Sequence, residues 1–261
     1  MSRAFRAEWV KLRRPRFLFG VLTVMAGFAA LSTILLITGV ISGEDDGPFE
    51  RAGLVDLAAA DGVAQGLGLA ANFLSVVAMV VAAWKVAAEF GDGTIRNLVI
   101  RQPHRGRLAA GKVGALCSLL LIGVLAATAV SVALSFALAP TNDIDTAAWT
   151  TSDGLAAVIS GVVNMSLTVL GWGLLGAALG LAVGSSAMAI GIGLAWMLPV
   201  ENLLALALGD NGKYLPGQIL TILADGGGDP SYLTALTISV LYAAAASIVG
   251  AIVFTRRDLS G

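Results

Sequence analysis

Residues 11–50, KLRRPRFLFGVLTVMAGFAALSTILLITGVISGEDDGPFE, contain the pattern that decides the fold. A basic segment comes first, an uninterrupted apolar run covers residues 17–41, and an acidic segment follows. A helix needs about 20 apolar residues to cross the hydrocarbon core of a bilayer. The run is too long for the core of a signal peptide. It therefore predicts an uncleaved first membrane span with a basic end and an acidic end.

The same alternation of charge continues along the whole chain. Nearly all of the 16 Lys and Arg residues lie in three clusters. These are Arg3, Arg6, Lys11, Arg13, Arg14 and Arg16; Lys85, Arg96, Arg101, Arg105, Arg107 and Lys112; and Arg256 and Arg257. Most acidic residues lie between the clusters. Because Lys and Arg concentrate in cytoplasmic loops, the pattern predicts a multi-pass membrane protein with both termini in the cytoplasm.

The composition agrees with a membrane protein and excludes several classes of function. A mean hydropathy of +0.87, with 57% hydrophobic and 13% charged residues, does not suit a water-soluble globule. The net charge of −1 gives no indication of a nucleic-acid partner. The single cysteine, Cys117, lies in an apolar run, so it allows no internal disulfide and supports no metal cluster.

Six apolar segments are long enough to cross the membrane. We predict spans over residues 17–41, 63–84, 113–138, 155–183, 187–208 and 233–254. An even number of spans agrees with both termini lying on one side. The sequence thus predicts an all-α integral membrane fold, with residues 1–261 forming a single transmembrane domain.

Residues 1–16 precede the first span and predict an amphipathic helix. Phe5, Trp9 and Leu12 share one helical face, and the arginines can reach lipid headgroups. Such a helix lies in the membrane interface and does not cross the bilayer. A disordered basic tail is the alternative.

The fourth predicted span contains small residues four positions apart, Gly176, Gly180 and Gly184. A flat strip of this kind lets a second helix approach closely. The sequence leaves open whether that helix belongs to the same chain or to another copy.

Glu201 is an ionisable residue near the outer end of the fifth predicted span. Ionisable groups at membrane depth are expensive and often functional, which makes Glu201 a candidate for an outer gate. Alternatively, Pro199 ends the helix. Residues 200–209 and 215–224 would then be short re-entrant helices before the sixth span, and the carboxylate would be mainly structural.

No motif in the sequence predicts a catalytic residue, a bound cofactor or a metal ligand. The segment Gly106–Lys112 resembles a phosphate-binding loop, but Val113 stands where a hydroxyl must bind magnesium. His104 is the only histidine. We therefore expect a chain that is not an enzyme.

The segment between the second and third spans is the only sizeable basic loop. Thr94 can cap a short helix over residues 95–101, which Pro103 would end. Its mixture of apolar and basic residues suits docking to a soluble partner. A basic loop that only maintains topology is the alternative.

This loop resembles that of type-2 ATP-binding-cassette (ABC) transporter permeases. The resemblance lies in Glu89, Gly93 and Thr94, followed by Arg101, Pro103 and Arg105. It extends to the basic start with Glu8-Trp9, to Leu215-Pro216-Gly217 and to the Arg256-Arg257-Asp258 end.

The resemblance implies an architecture and partners. Residues 89–101, including Ile95 and Arg96, would form a coupling helix in a cleft of a separate ATPase subunit. That subunit would carry ATP and magnesium, while this chain would bind no cofactor. A second permease, identical or paralogous, would complete the transporter in a bacterial cytoplasmic membrane. Its apolar pathway suits export of an amphipathic or lipid-like cargo, such as an antimicrobial peptide, a drug or a lipid.

Two other classes of function remain open from the residues alone. An ion-gradient-driven secondary transporter would need ionisable groups in the membrane, for which Asp61 and Glu201 are the candidates. A non-transporting membrane immunity or scaffold protein would need no such groups.

Overall fold

The structure, a computed structural model, describes residues 2–39, 57–91 and 105–256, in which every regular element is helical. Six helical stretches in these ranges are long and apolar enough to cross a membrane. The prediction of an all-α protein with six membrane-spanning segments is confirmed at this level. The segments are Pro15–Ile37, Gly62–Ala88, Ala110–Asn142, Ser152–Val183, Ser186–Tyr214 and Tyr232–Gly250.

The helices are numbered in chain order. Their bounds are α1 Ser2–Leu12, α2 Pro15–Ile37, α3 Gly62–Gly91, α4 Arg105–Leu138, α5 Ser152–Val183, α6 Ser186–Ala195, α7 Glu201–Leu208, α8 Pro216–Ala224 and α9 Tyr232–Arg256. A π-helical segment, Trp196–Val200, joins α6 to α7. Short 3₁₀ turns cover Ala139–Asn142, Ala147–Thr150 and Gly209–Tyr214.

Two helices extend beyond the spans predicted from hydropathy. α3 continues past Trp84 to Gly91, and α4 begins at Arg105, well before residue 113. The added turns are rich in Ala, Lys and Arg, which are good helix formers. Hydropathy marks where the apolar part of a span ends, whereas the helix itself continues into the polar segment.

Side-chain contacts between helices show their relative directions. Gly123 of α4 faces the side chain of Met25 in α2, and the hydroxyls of Thr33 and Ser131 are 2.8 Å apart further along the same pair. α2 and α4 are therefore parallel. α3 and α5 are also parallel, since Gly161 packs beside Ala64 and Gly180 beside Ala83.

These directions give the bundle two distinct ends. One end carries α1, the end of α3, the start of α4 and the turn between α5 and α6, and we call it the N-terminal end. The other, which we call the far end, carries the 3₁₀ turns and the helical hairpin formed by α7 and α8.

α3 lies at the centre of the bundle. Leu74 and Ala78 belong to the hydrophobic core shared with α2 and α4, whereas Met79 and Ala83 belong to a second core shared with α5, α6 and α8. The most apolar part of α3 is 61% buried, compared with 17% for the α6–α7 segment and 11% for α9. The last two segments therefore present broad apolar faces at the surface of the chain.

Candidate functional site

Most residues of the predicted coupling helix lie outside the described part of the chain. These are Gly93, Thr94, Ile95, Arg96, Arg101 and Pro103. The other two residues predicted to couple to the ATPase, Glu89 and Arg105, are described and are helical. Glu89 lies in the last turn of α3, and Arg105 is the first residue of α4. The segment 92–104 therefore connects two helices at the N-terminal end, and its assignment as a coupling helix stays a prediction.

The helix predicted over the first residues is present as α1, and it packs on α4. Phe5 lies over Gly114, with 3.6 Å between its Cδ2 atom and the position a Cβ would take, and Gly111 meets the backbone and Cβ of Ala4. Phe5 and Trp9 are stacked with their ring centroids 6.1 Å apart. Leu12 is buried in the protein core, and Phe5 and Trp9 pack against that core from the same face.

A buried carboxylate joins α1 to α4. Glu8 is 4% exposed, and its Oε2 atom lies 3.2 Å from Lys112 Nζ. Its Oε1 atom accepts a hydrogen bond from Lys11 Nζ at 2.8 Å. We call these three residues the ion-paired junction. Since a buried charge without a partner is strongly destabilising, the pairing holds α1 in one position on α4.

Sequence reasoning missed the ion-paired junction. In the sequence, Lys112 belongs to the second basic cluster and Glu8 to the basic start of the chain, and no local pattern pairs the two. One signal was available: Ala4, Glu8 and Leu12 are spaced four apart and share one helical face. An acid on the buried side of a basic helix requires a cation from a neighbouring element.

A second contact joins α2 to α3 at the same end. Lys85 Nζ lies 3.9 Å from the ring centroid of Phe17 and 4.9 Å from that of Trp84. The two rings are themselves in tilted contact, with centroids 5.8 Å apart. Cation–π contacts of this kind contribute about 0.5–1 kcal/mol at exposed sites. The start of α2 is thus attached to α3 about two turns before the segment 92–104.

The glycine strip of α5 packs against α3 of the same chain, which answers the question that the sequence left open. A Cβ on Gly176 would lie 2.4 Å from the carbonyl oxygen of Met79, and one on Gly180 would lie 2.7 Å from that of Ala83. The two backbones therefore touch. Gly184 has another role, since its φ of 72° and its hydrogen bond to the Gly180 carbonyl make it the C-cap of α5.

The chain stays helical through Pro199, so the interpretation that this proline ends the helix is wrong. Proline has no N–H and cannot supply the regular bond within an α-helix. The π-helical segment Trp196–Val200 accommodates this loss, and α7 begins directly after it at Glu201. The two short helices predicted here exist as α7 and α8.

Glu201 caps the N-terminus of α8 across the hairpin. Its side chain is 2% exposed, and Oε1 accepts hydrogen bonds from the backbone N–H groups of Gly217 and Gln218, the latter at 3.3 Å. Both N–H groups belong to the first turn of α8, where no carbonyl of the helix can reach them. A negative charge is also favoured there by the helix dipole.

Gly217 is required for this capping contact. A Cβ at position 217 would lie 2.8 Å from both carboxylate oxygens of Glu201. The indole of Trp196 lies near the same carboxylate. These contacts favour the structural interpretation of Glu201 over a role as an ion carrier.

Asp61, the other acid considered for an ion pathway, is exposed just before α3. Its Oδ2 atom accepts a hydrogen bond from Gln65 at 2.9 Å. In the ranges that the structure describes, no three His, Cys, Asp or Glu side chains are close enough to hold a metal ion.

Comparison with known families adds one match. Residues 48–260 match the family described as "Protein of unknown function (DUF2705)". The chain belongs to this family. No curated protein matches the chain. In this DUF2705 member the matched region contains α3–α9, including the glycine strip and the Glu201 cap, whereas Glu8 and Lys11 precede it.

Proposed function

We propose that this chain is the permease subunit of an ABC exporter, driven by a separate ATPase subunit that binds ATP and magnesium. The observation that supports it most is the joining of four helices at the N-terminal end. Glu8 and Lys112 join α1 to α4, and Lys85 joins α3 to Phe17 of α2. The segment 92–104 connects α3 to α4 at this same place.

This arrangement can carry a movement from the segment 92–104 into the membrane. A push on the segment would act on α3 and α4 directly, on α1 through the Glu8–Lys112 ion pair, and on α2 through Lys85. α3 would then move α5, because the backbones touch at Gly176 and Gly180. Close-packed contacts transmit displacement because they leave no space to absorb it.

Partner recognition would depend on the basic residues of the same segment. Arg96 and Arg101 would face acidic residues on the ATPase, in a cytoplasm that also holds both termini. Such charge pairs set the choice of partner and the association rate more than the affinity. The exposed apolar faces of α6, α7 and α9 would contact membrane lipids and a second permease. An amphipathic or lipid-like cargo suits a pathway with apolar walls.

Co-purification tests the proposal. The tagged chain is co-expressed in bacteria with ATPase subunits that lack a membrane domain, extracted in mild detergent and purified. We expect a stable complex whose ATPase activity depends on the permease. Arg101→Glu should reduce recovery of the ATPase about tenfold, the effect of 1.4 kcal/mol. Arg16→Glu is the matched control, since Arg16 is exposed at the same end but lies outside the segment.

Two results of the co-purification would count against the proposal, and a transport assay could supply a third. One is purification of the folded chain without any ATPase in every combination tested, which would favour a scaffold or immunity protein. The other is equal recovery of the ATPase with wild type, Arg101→Glu and Arg16→Glu, which would place the contact elsewhere. Transport that follows an ion gradient and is lost in Asp61→Asn would favour a secondary transporter.

A further inference from the structure

Two amide side chains meet at the surface of the chain, where α7 lies beside α8. Gln218 Nε2 donates a hydrogen bond to Asn202 Oδ1 at 3.4 Å, and Asn202 Nδ2 donates one to the Leu198 carbonyl at 2.6 Å. Because a carbonyl can only accept, Leu198 fixes which side of the Asn202 amide carries the nitrogen. Asn202 is exposed and Gln218 is partly exposed. We call these two residues the amide pair.

The contacts of α8 with α5 give the depth of the amide pair. The carbonyl of Leu220 accepts a hydrogen bond from the Thr168 hydroxyl at 3.0 Å, and the Leu220 side chain lies against Gly171. Thr168 is the seventeenth residue of α5, a helix of 32 residues. Gln218 precedes Leu220 by two residues, or about 3 Å at 1.5 Å per residue. The amide pair therefore lies close to the middle of α5.

The central helix α3 gives the same depth. Gly176 packs on the backbone of Met79, and the two helices are parallel, so Gly171 is level with Leu74. Leu74 is the thirteenth of the 27 residues in the membrane-spanning segment Gly62–Ala88. The hydrocarbon core of a bilayer is about 30 Å thick, so a group near its middle lies more than about 10 Å from either headgroup region. The amide pair is thus beyond the reach of headgroups.

The amide pair has hydrogen-bonding groups to spare. Asn202 Nδ2 has a second N–H, and within the residues that the structure describes no donor reaches Gln218 Oε1. A polar group that faces hydrocarbon without a hydrogen bond is costly, and an acyl chain has neither a donor nor an acceptor to offer. The surface at the amide pair therefore suits a polar partner at the same depth.

The surface around the amide pair is apolar and open. Leu198 is 55% exposed, Leu203 is 66% exposed and Leu206 is 81% exposed. Apart from its hydrogen bonds to α8, α7 packs mainly on the short segments that adjoin it in the chain. A helix from outside the chain can therefore approach this face of α7.

We propose that two copies of this chain associate through α7, with the amide pair of one copy bonded to the amide pair of the other. In each copy, Asn202 Nδ2 would donate to Gln218 Oε1 of the other copy. A two-fold axis along the membrane normal keeps the two amide pairs at one depth and makes the contact reciprocal. Asn and Gln side chains join helices within membranes in this way. The amide pair suits a second copy because it offers a donor and an acceptor side by side and carries no charge.

This inference deepens the proposed function, in which a second permease completes the transporter, and it rests on that permease being another copy of this chain. It assigns the contact to α7 and not to the equally apolar α9. No ATPase takes part in the contact. An experiment on the chain alone can therefore fail while co-purification with an ATPase succeeds, and the reverse is also possible.

Association of the full chain in vesicles tests the inference. Copies that carry donor or acceptor dyes are reconstituted in phosphatidylethanolamine and phosphatidylglycerol at several protein-to-lipid ratios, and energy transfer gives the dissociation constant. We expect wild type to dimerise. Asn202→Leu should weaken the dimer about tenfold, the effect of 1.4 kcal/mol, because both bonds between the copies are lost. Ser247→Leu is the matched control, since Ser247 is exposed on α9 and its hydroxyl bonds a carbonyl of its own helix.

A second variant tests the reciprocal pairing. Gln218→Leu removes the acceptors of the same two bonds that Asn202→Leu deprives of their donors. The double variant Asn202→Leu/Gln218→Leu should therefore associate about as weakly as either single variant, because the second substitution has no bond between the copies left to break.

Crosslinking locates the contact without altering the amide pair. In a Cys117→Ser background, Leu206→Cys on α7 should be joined to a second copy by a short bifunctional thiol reagent. Leu241→Cys, at a 63% exposed position on α9, should not.

Several results would overturn the inference. These are a monomeric wild type, equal dissociation constants for wild type and Asn202→Leu, and crosslinking of Leu241→Cys in preference to Leu206→Cys. A photo-crosslinker at Asn202 that captures lipid, or residues 40–56, in place of a second copy would also overturn it.

Discussion

Glu8 and Lys112 are 104 residues apart in the chain, yet Glu8 Oε2 and Lys112 Nζ are 3.2 Å apart and both side chains are nearly buried. This ion pair joins the first helix to the helix that follows the basic segment 92–104. It makes α1 part of the helical bundle, because a carboxylate in this position needs its cation. The contact therefore links the start of the chain to the region proposed to receive the ATPase.

Glu8→Gln should destabilise the protein by about 2–3 kcal/mol, less than the 3–5 kcal/mol expected for a fully buried pair. The expected loss of stability is smaller because Lys11, one of the two partners of Glu8, is 42% exposed and keeps contact with solvent or headgroups. The loss should appear as a lower melting temperature in detergent. Arg6→Gln is the control, since Arg6 is exposed on the same helix.

The double variant Glu8→Gln/Lys112→Gln separates pairing from general damage. We expect it to be less destabilised than the sum of the two single variants, because the second substitution removes a contact that the first has already broken. The structural role of the pair would be refuted if Glu8→Gln were as stable as wild type and the stability effects of the two substitutions simply added in the double variant.

Gly176→Ala should destabilise the bundle by about 1–3 kcal/mol, the usual cost of overpacking. The added methyl would meet the Met79 carbonyl, and backbone cannot move aside as a flexible side chain does. Gly191→Ala on α6 is the matched control, since no atom lies within 4 Å of its Cβ position. Thermal unfolding of the two variants measures the difference. Equal melting temperatures would show that α3 and α5 can separate without cost.

Glu201→Leu should release the first turn of α8. Hydrogen bonds to charged groups contribute about 1.5–3 kcal/mol, and the buried N–H groups of Gly217 and Gln218 would lose their acceptor. Hydrogen exchange at residues 217 and 218 should accelerate, while Glu201→Gln, which keeps an acceptor oxygen, should show a smaller effect. Leu206→Ala, at an 81% exposed position on α7, should leave exchange unchanged. Slow exchange in Glu201→Leu would argue against the capping role.

The proposed orientation can be measured by cysteine labelling in intact cells. In a Cys117→Ser background, Asn97→Cys should react only after the membrane is made permeable. Thr141→Cys, exposed in the 3₁₀ turn after α4 at the far end, should react with an impermeant reagent without permeabilisation. The reverse pattern would invert the protein and remove the basis for an ATPase partner at the segment 92–104.

The helical fold and the six membrane-spanning segments could be predicted from the sequence because both follow from local properties. An apolar run as long as residues 17–41 predicts a membrane-spanning helix. In lipid each backbone group must find its hydrogen-bond partner within its own helix, so the length of the run is sufficient for this prediction. The Thr151 side chain, which accepts a hydrogen bond from Gly154 N–H at the start of α5, is equally local. The extension of α3 beyond Trp84 and the start of α4 before residue 113 were harder to predict, since polar residues continue a helix without a hydropathy signal.

For the candidate site residues, too, some properties follow from the sequence and others depend on the folded structure. The sequence by itself determined that α1 is basic and amphipathic, that the α5 glycines form a flat strip, and that Glu201 is an isolated acid beside a proline. Only the tertiary structure decided their partners: Lys112 for Glu8, α3 for the strip, and the first turn of α8 for Glu201. The reason is physical. Whether a residue is suited to burial depends on its own chemistry and its periodicity, whereas its partner depends on which helices the folded bundle brings side by side.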